Sequence, residues 1–245
     1  MTYTPRALIL TGDGINCERE TALAFAQAGA NPLIVHINDL LARPTMLGDF
    51  QIFAIPGGFS FGDELGSGQI LALKLKHGLG EELQRFSERQ FPILGICNGF
   101  QALVKLGLLP SIRGKKFALA PNIQGHFKNR WVTLRPNRAN PSPWLRNLPN
   151  KLQMPMRHGE GRLLGLDVTE KQLSSYIALT YSEDVNGSLL NIAGLTNKIG
   201  NVLGLMPHPE ANLFNLSRGP GYSGLPFAPS DGQVLFKNIV EYVQE

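Results

Sequence analysis

Residues 93–101 read Ile93-Leu94-Gly95-Ile96-Cys97-Asn98-Gly99-Phe100-Gln101, and this stretch decides the fold. Cys97 stands between two glycines in the spacing of a nucleophile elbow. In such an elbow a strand runs directly into a helix and the corner residue is pushed outward, so its neighbours must be nearly free of side chain. Gly95 and Gly99 meet that need. Residues 91–96 read as a short buried strand, and Phe100, Leu103, Val104 and Leu106 then recur at helical spacing. A thiol at a helix N-terminus also feels the positive end of the helix dipole, which favours the nucleophilic thiolate. The segment by itself also fits a buried, inert cysteine in a strand-to-helix turn.

Outward from the elbow, the first half of the chain alternates short apolar runs with amphipathic stretches. Residues 7–11, 32–37, 51–56 and 92–96 are the expected strands, and residues 18–27, 67–75 and 79–88 the expected helices. Strands joined by crossover helices make a doubly wound α/β fold with a mostly parallel central sheet, whose ligands sit at the carboxyl ends of the strands. Cys97 lies at such an end. From Lys115 onward the apolar runs shorten and are separated by Pro, Asn and Gly. Residues 131–134, 177–181 and 190–196 then read as antiparallel β hairpins laid against the main sheet. Residues 202–206 read as a further buried strand, 217–231 as a loop and 231–243 as a closing helix. No internal repeat or linker is visible, and a single domain over residues 1–245 is expected.

Composition narrows the class. A chain of 245 residues can bury a full core without covalent staples, and two cysteines, Cys17 and Cys97, make no disulfide framework. Its start, MTYTPRALILTGDG, lacks a basic region followed by a long apolar one, and no stretch approaches the roughly 20 apolar residues of a membrane span. A cytoplasmic protein with free thiols and no membrane association is expected. The formal charge of +4 is scattered, apart from a group at Arg113, Lys115, Lys116, Lys128 and Arg130. Charge without a groove-entering motif identifies no reader of bases or phosphates, so no nucleic acid partner is expected. No phosphate loop or zinc spacing is present, and TGDGIN is a poor dinucleotide fingerprint, so neither metal nor cofactor is expected on this chain.

A cysteine nucleophile needs a base, and the base needs a group that fixes its tautomer and orientation. Of five histidines, His208 is the best placed. It follows the apolar run VLGLM, is flanked by Pro207 and Pro209 in a stiff turn, and has Glu210 two residues on. In an extended chain, side chains two apart point the same way, so Glu210 can hold the imidazole. His158, in MRHGEGR with Glu160 two residues on, is the competitor. Its flanking glycines suit a flap or a close approach to ligand better than a rigid base. His36, His77 and His126 have no such carboxylate. IPGGFSFG, residues 55–62, ends another expected strand with paired glycines. Backbone N–H groups of Gly57 and Gly58, together with that of Asn98, can face the oxyanion that forms when a thiol attacks an acyl group.

With GICNGFQ, PGGFSFGD and MPHPE, the chain resembles the class I, triad-type glutamine amidotransferases. NCERET, RHGEGR and NGSLLNIAG narrow the resemblance to the glutaminase subunits of phosphoribosylformylglycinamidine synthases, from the first strand to the closing helix. The resemblance implies Cys97 as nucleophile, His208 as base and Glu210 as its orienting partner. It further implies an oxyanion hole at Gly58 and Asn98, and Gln101 as a residue that helps hold glutamine. The implied reaction is hydrolysis of the glutamine side-chain amide through a thioester. Ammonia then passes to a separate synthetase large subunit, which carries ATP and Mg, and a small accessory subunit often completes the complex. Two other readings remain open at this stage: another class I cysteine hydrolase, and a noncatalytic regulatory subunit with the same fold.

Overall fold

The computed structural model describes residues 3–218 and 225–245. The strands are β1 (Arg6–Thr11), β2 (Asn31–His36), β3 (Ile52–Ile55), β4 (Ile93–Ile96), β5 (Lys116–Pro121), β6 (Lys128–Pro136), β7 (Leu152–His158), β8 (Glu160–Leu166), β9 (Ile177–Tyr181), β10 (Ile192–Thr196) and β11 (Val202–Leu205). The helices are α1 (Glu18–Gln27), α2 (Ile37–Ala42), α3 (Gln69–Glu88), α4 (Asn98–Lys105), α5 (Glu170–Leu173) and α6 (Asp231–Gln244).

Nine strands form one sheet in the order β2-β1-β3-β4-β11-β10-β9-β6-β7, and β5 pairs with β8 in a separate ribbon. The first five are parallel, the doubly wound arrangement expected from the sequence. Every residue of β3, β4 and β11 is buried, as befits strands covered on both faces. At the edge, β2 carries Pro32, where its missing N–H removes no ladder bond, and leaves Leu33 and Ile34 exposed. α1 packs on β1 and β2, and α4 packs on β3, β4 and β11 with α3 against it. The closing helix α6 joins α1, with Phe25 and Phe236 edge to face at 5.0 Å.

Three expectations change. The helices expected at 67–75 and 79–88 are one helix, α3. Gly78 and Gly80 interrupt the apolar pattern but not the hydrogen-bond ladder. Gly78 is where α3 meets α2, since a β-carbon there would stand 2.5 Å from Leu41 Cδ2. The antiparallel region is present, yet most of it continues the main sheet instead of lying on it. β10, β9 and β6 extend the sheet from β11, and β7 closes it as an edge. β7 and β8 escaped the sequence reading because their apolar residues are broken by Pro, Gly and charges, and β5 because its short run, Phe-Ala-Leu-Ala, is half alanine, a weak strand former. The expected loop at 217–231 begins in a turn, Asn215–Arg218, and ends at α6; residues 219–224 of it lie outside the described residues.

β6 bonds β9 only through Leu134–Pro136, so the rest of the β6–β7 hairpin is released from the sheet. Its β7 strand reaches the carboxyl ends of β4 and β11, where the Pro155 carbonyl accepts the His208 N–H at 2.8 Å. This hairpin walls the site. Among the described residues no helix is long and apolar enough to cross a membrane.

Candidate active site

Cys97 occupies the corner between β4 and α4 with φ 50° and ψ −103°, a left-handed conformation that is costly for any residue with a β-carbon. The packing around it holds the strain. A β-carbon on Gly95 would stand 2.8 Å from the Gly99 carbonyl, and one on Gly99 would overlap the Ile55 carbonyl of β3. The two glycines therefore let α4 rise directly off the sheet, and the Cys97 N–H bonds the Leu205 carbonyl of β11 at 2.8 Å. Cys97 is 5% exposed, and its thiol donates to the Arg157 carbonyl of β7 at 3.7 Å.

β11 lies beside β4, so the MPHPE turn that follows it arrives next to the elbow. His208 is extended, at φ −106° and ψ 90°, and a 3-10 turn over Pro209–Ala211 then folds Glu210 back toward it. The sequence argument required an extended chain throughout; the structure reaches the same contact through a turn. His208 Nδ1 and Glu210 Oε1 are 2.6 Å apart and both residues are buried. Burial opposes charge on the imidazole, whereas the Glu210 carboxylate and the nearby Cys17 and Cys97 thiols favour it; the net result is a pKa raised well above the ordinary value. His208 Nε2 is buried and meets no hydrogen-bond geometry with any of the described residues, while the Cys97 thiol beside it donates to the Arg157 carbonyl.

His158 has a different environment. It is buried with both ring nitrogens unpartnered among the described residues, and burial, then His208 and Lys128, push its pKa down to about 3. Glu160 does not reach its ring. That carboxylate accepts the Ser67 N–H at 3.4 Å, leaving His158 a neutral imidazole with no orienting partner.

Gly57 sits directly against the base: a β-carbon on it would be 2.8 Å from His208 Cε1. Gly58 has φ 151°, and a β-carbon there would be 2.5 Å from the Gly14 carbonyl oxygen. The bonds that tie this loop to the one after β1 run from Asn16 and Cys17 N–H to the Gly57 carbonyl, and from Phe59 N–H to that of Gly14. None of them uses the Gly58 N–H. Asn98 opens α4, so its N–H has no carbonyl four residues back. Its side chain braces the site, accepting from Ser60 N–H at 3.1 Å and donating to Asp63 and Gln101 at 3.0 Å each. Gln101 is buried and donates to the Glu160 carbonyl at 2.5 Å, which ties α4 to the β7–β8 corner.

These elements enclose a cavity of about 190 Å³ lined by Asn16, Cys17, Gly58, Phe59, Cys97 and His208, with Phe127 and Arg157 on its hairpin side. The structure brings Cys97, His208, Glu210, Gly57, Gly58 and Asn98 to one place and sets Gln101 immediately behind. The sequence reading missed Cys17, Phe127 and Arg157 as walls of the cavity. It also missed Tyr181, whose buried hydroxyl has no partner among the described residues and whose pKa is pushed up by burial and then by Cys97. NCERET, around Cys17, and RHGEGR, which begins at Arg157, carried a signal; Phe127 and Tyr181 lay in no quoted motif. The basic group is dispersed by its contacts: Arg130 pairs with Glu183 at 2.6 Å, and Lys128 donates to the Val185 carbonyl at 2.6 Å.

The family model for the CobB/CobQ-like glutamine amidotransferase domain matches residues 4–243. A phosphoribosylformylglycinamidine synthase subunit PurQ of Dehalococcoides mccartyi is 39% identical over 98% of both chains, and that of Thermotoga maritima 35% identical over 98% of this chain and 99% of its own. Among solved structures, a chain of PurLQS from Thermotoga maritima superposes with a TM-score of 0.79 at 34% identity, covering 98% of this chain and 99% of that one. A Thermotoga maritima glutamine amidotransferase, at TM-score 0.54 and 19% identity over 85% of this chain and 77% of its own, shares the fold. The chain is a member of the CobB/CobQ-like glutamine amidotransferase family and, within it, of the PurQ subunits of phosphoribosylformylglycinamidine synthase.

Proposed function

We propose that the chain is the glutaminase subunit of a phosphoribosylformylglycinamidine synthase, which hydrolyses the glutamine side-chain amide and supplies ammonia for purine biosynthesis. The observation that carries the chemistry is the buried His208–Glu210 pair at 2.6 Å beside the strained elbow of Cys97. In this reading Cys97 Sγ attacks the amide carbon of glutamine and its proton passes to His208 Nε2. The Glu210 carboxylate stabilises the imidazolium and keeps Nδ1 protonated. The N–H groups of Gly58 and Asn98 receive the oxyanion, and Gly57 leaves room for the ring. His208 returns the proton to the departing nitrogen, ammonia leaves, and a water activated by the same imidazole cleaves the thioester to glutamate. Gln101 holds the wall against which glutamine lies.

The partner in this reading is the synthetase large subunit, with a small accessory subunit completing the complex. PurLQS, the solved assembly whose chain superposes on this one, supports that arrangement. ATP and Mg belong to the synthetase, no cofactor or metal is needed on this chain for hydrolysis, and the compartment is the cytoplasm. The test is ammonia release from glutamine, with and without the synthetase, by the parent and by Cys97→Ser. Glutamine hydrolysis that persists in Cys97→Ser would overturn the mechanism.

A further inference from the structure

We propose that Cys17, His208 and Glu210 form a binding site for a thiophilic divalent cation, zinc being the type case, and that occupation of this site switches hydrolysis off. One ligating atom from each residue, the Cys17 sulfur, an imidazole nitrogen and a carboxylate oxygen, lies within 4.8 Å of the other two. Zinc–sulfur bonds of about 2.3 Å and zinc–nitrogen or –oxygen bonds of about 2.0–2.2 Å give ligand separations of roughly 3.5 Å, so the wider-spaced ligands move inward by up to about 1 Å, and an ion on Nδ1 also parts the 2.6 Å contact between His208 Nδ1 and Glu210 Oε1 by about 1 Å. Among the described residues no other group of histidine, cysteine and carboxylate side chains has this spacing.

A second observation points to a ligand independently. Glu210 is only 3% exposed, and its Oε2 is sealed from solvent with no hydrogen-bond partner among the described residues. The hydrolytic mechanism employs Oε1 on His208 and leaves Oε2 unexplained. A buried acceptor left unmet costs about 1–3 kcal/mol, more when charged, and a cation would satisfy it. Cys17 likewise has no part in the hydrolysis, yet it lines the cavity and stands beside the imidazole. Thiol, imidazole and carboxylate together select a borderline-soft ion and disfavour Mg and Ca, which prefer all-oxygen shells.

Binding releases the Cys17 thiol proton and the displaced imidazole proton to solvent, and the sulfur and ring lone pairs go to the ion. A metallated imidazole cannot both remain paired with Glu210 and accept the Cys97 proton, so the base is disabled without any change to Cys97. Binding itself is independent of the glutaminase reading; only its effect on turnover rests on it.

The experiment titrates the full chain, stripped of metal, with Co²⁺ and follows the thiolate-to-cobalt charge-transfer band, then measures Zn²⁺ affinity by competition with a chromogenic chelator. The parent, Cys17→Ser and Cys97→Ser are compared. One cobalt per chain is expected, with the band kept in Cys97→Ser and lost in Cys17→Ser, where zinc binds at least about tenfold more weakly. Zinc should also inhibit glutamine hydrolysis by the parent at concentrations about tenfold below those needed for Cys17→Ser. A band absent from the parent, or one that survives Cys17→Ser and disappears in Cys97→Ser, would overturn the site. If Cys17→Ser fails to fold, the Cys97→Ser spectrum decides alone. Failure of the glutaminase reading is seen separately, as no hydrolysis by metal-free parent with its synthetase, whatever the cobalt spectrum.

Discussion

His208 Nδ1 and Glu210 Oε1 stand 2.6 Å apart in a buried pair, and the carboxylate offsets the burial that would otherwise disfavour the imidazolium formed when Cys97 gives up its proton. Glu210→Gln keeps an acceptor of the same shape and removes the charge. Burial then dominates, and the His208 titration should move below its ordinary value of about 6.5. Glutamine hydrolysis should fall by about 10²–10⁴-fold. Proton NMR of the His208 ring across pH, with ammonia release, checks both; an unmoved titration would show that the carboxylate does not set the base.

His208 and His158 can be ranked directly. His208→Ala should reduce hydrolysis at neutral pH by about 10²–10⁴-fold, whereas His158→Ala should retain most of it, because His158 has no carboxylate partner and a pKa near 3. Single-turnover thioester formation is the measurement, and equal losses in the two variants would reject the assignment of His208 as base.

The buried His158 also makes a prediction about acid stability. Its folded pKa of about 3 lies below the unfolded value near 6.5, so between these pH values the unfolded chain binds the extra proton. The corresponding stability is present above pH of about 6.5 and is lost as pH falls toward 3, up to about 5 kcal/mol in all. His158→Leu should flatten the dependence of the urea midpoint on pH across this window. A slope identical to the parent's would remove His158 as its cause.

Gly99 carries the elbow, since a β-carbon would meet the Ile55 carbonyl. Gly99→Ala should destabilise the fold by about 1–3 kcal/mol through overpacking. It should also lower hydrolysis more than tenfold by lifting α4 and Cys97 off β3. Urea unfolding and ammonia release measure the two effects, and a variant with parental values of both would show that the elbow tolerates a side chain.

Local pattern revealed the elements whose signals are local. Helix α1 was legible to the residue, because Glu18–Gln27 is amphipathic and bounded. β3, β4 and β11 were legible because a fully buried strand is a continuous apolar run between turn residues. α3 was split in the reading because Gly78 resembles a break until Leu41 is seen against it. β7 was invisible, since a strand containing Pro155 and Arg157 reads as a loop, and only its pairing with β6 makes it one.

The sequence by itself determined the strand–Cys97–helix corner, the paired glycines at 57 and 58 and the His208–Glu210 pairing, because each depends on residues a few positions apart. Tertiary structure decided what surrounds them. β11 runs parallel beside β4, bringing His208 to Cys97 across more than a hundred residues. The β6–β7 hairpin leaves the sheet to cap the site with Arg157, and the loop after β1 brings Cys17 to the same imidazole. These are long-range contacts, fixed by sheet order and burial, and no local pattern encodes them. The elbow was therefore readable as a presented thiol, while its enclosure, and the metal-binding geometry beside it, emerged only when the chain was folded.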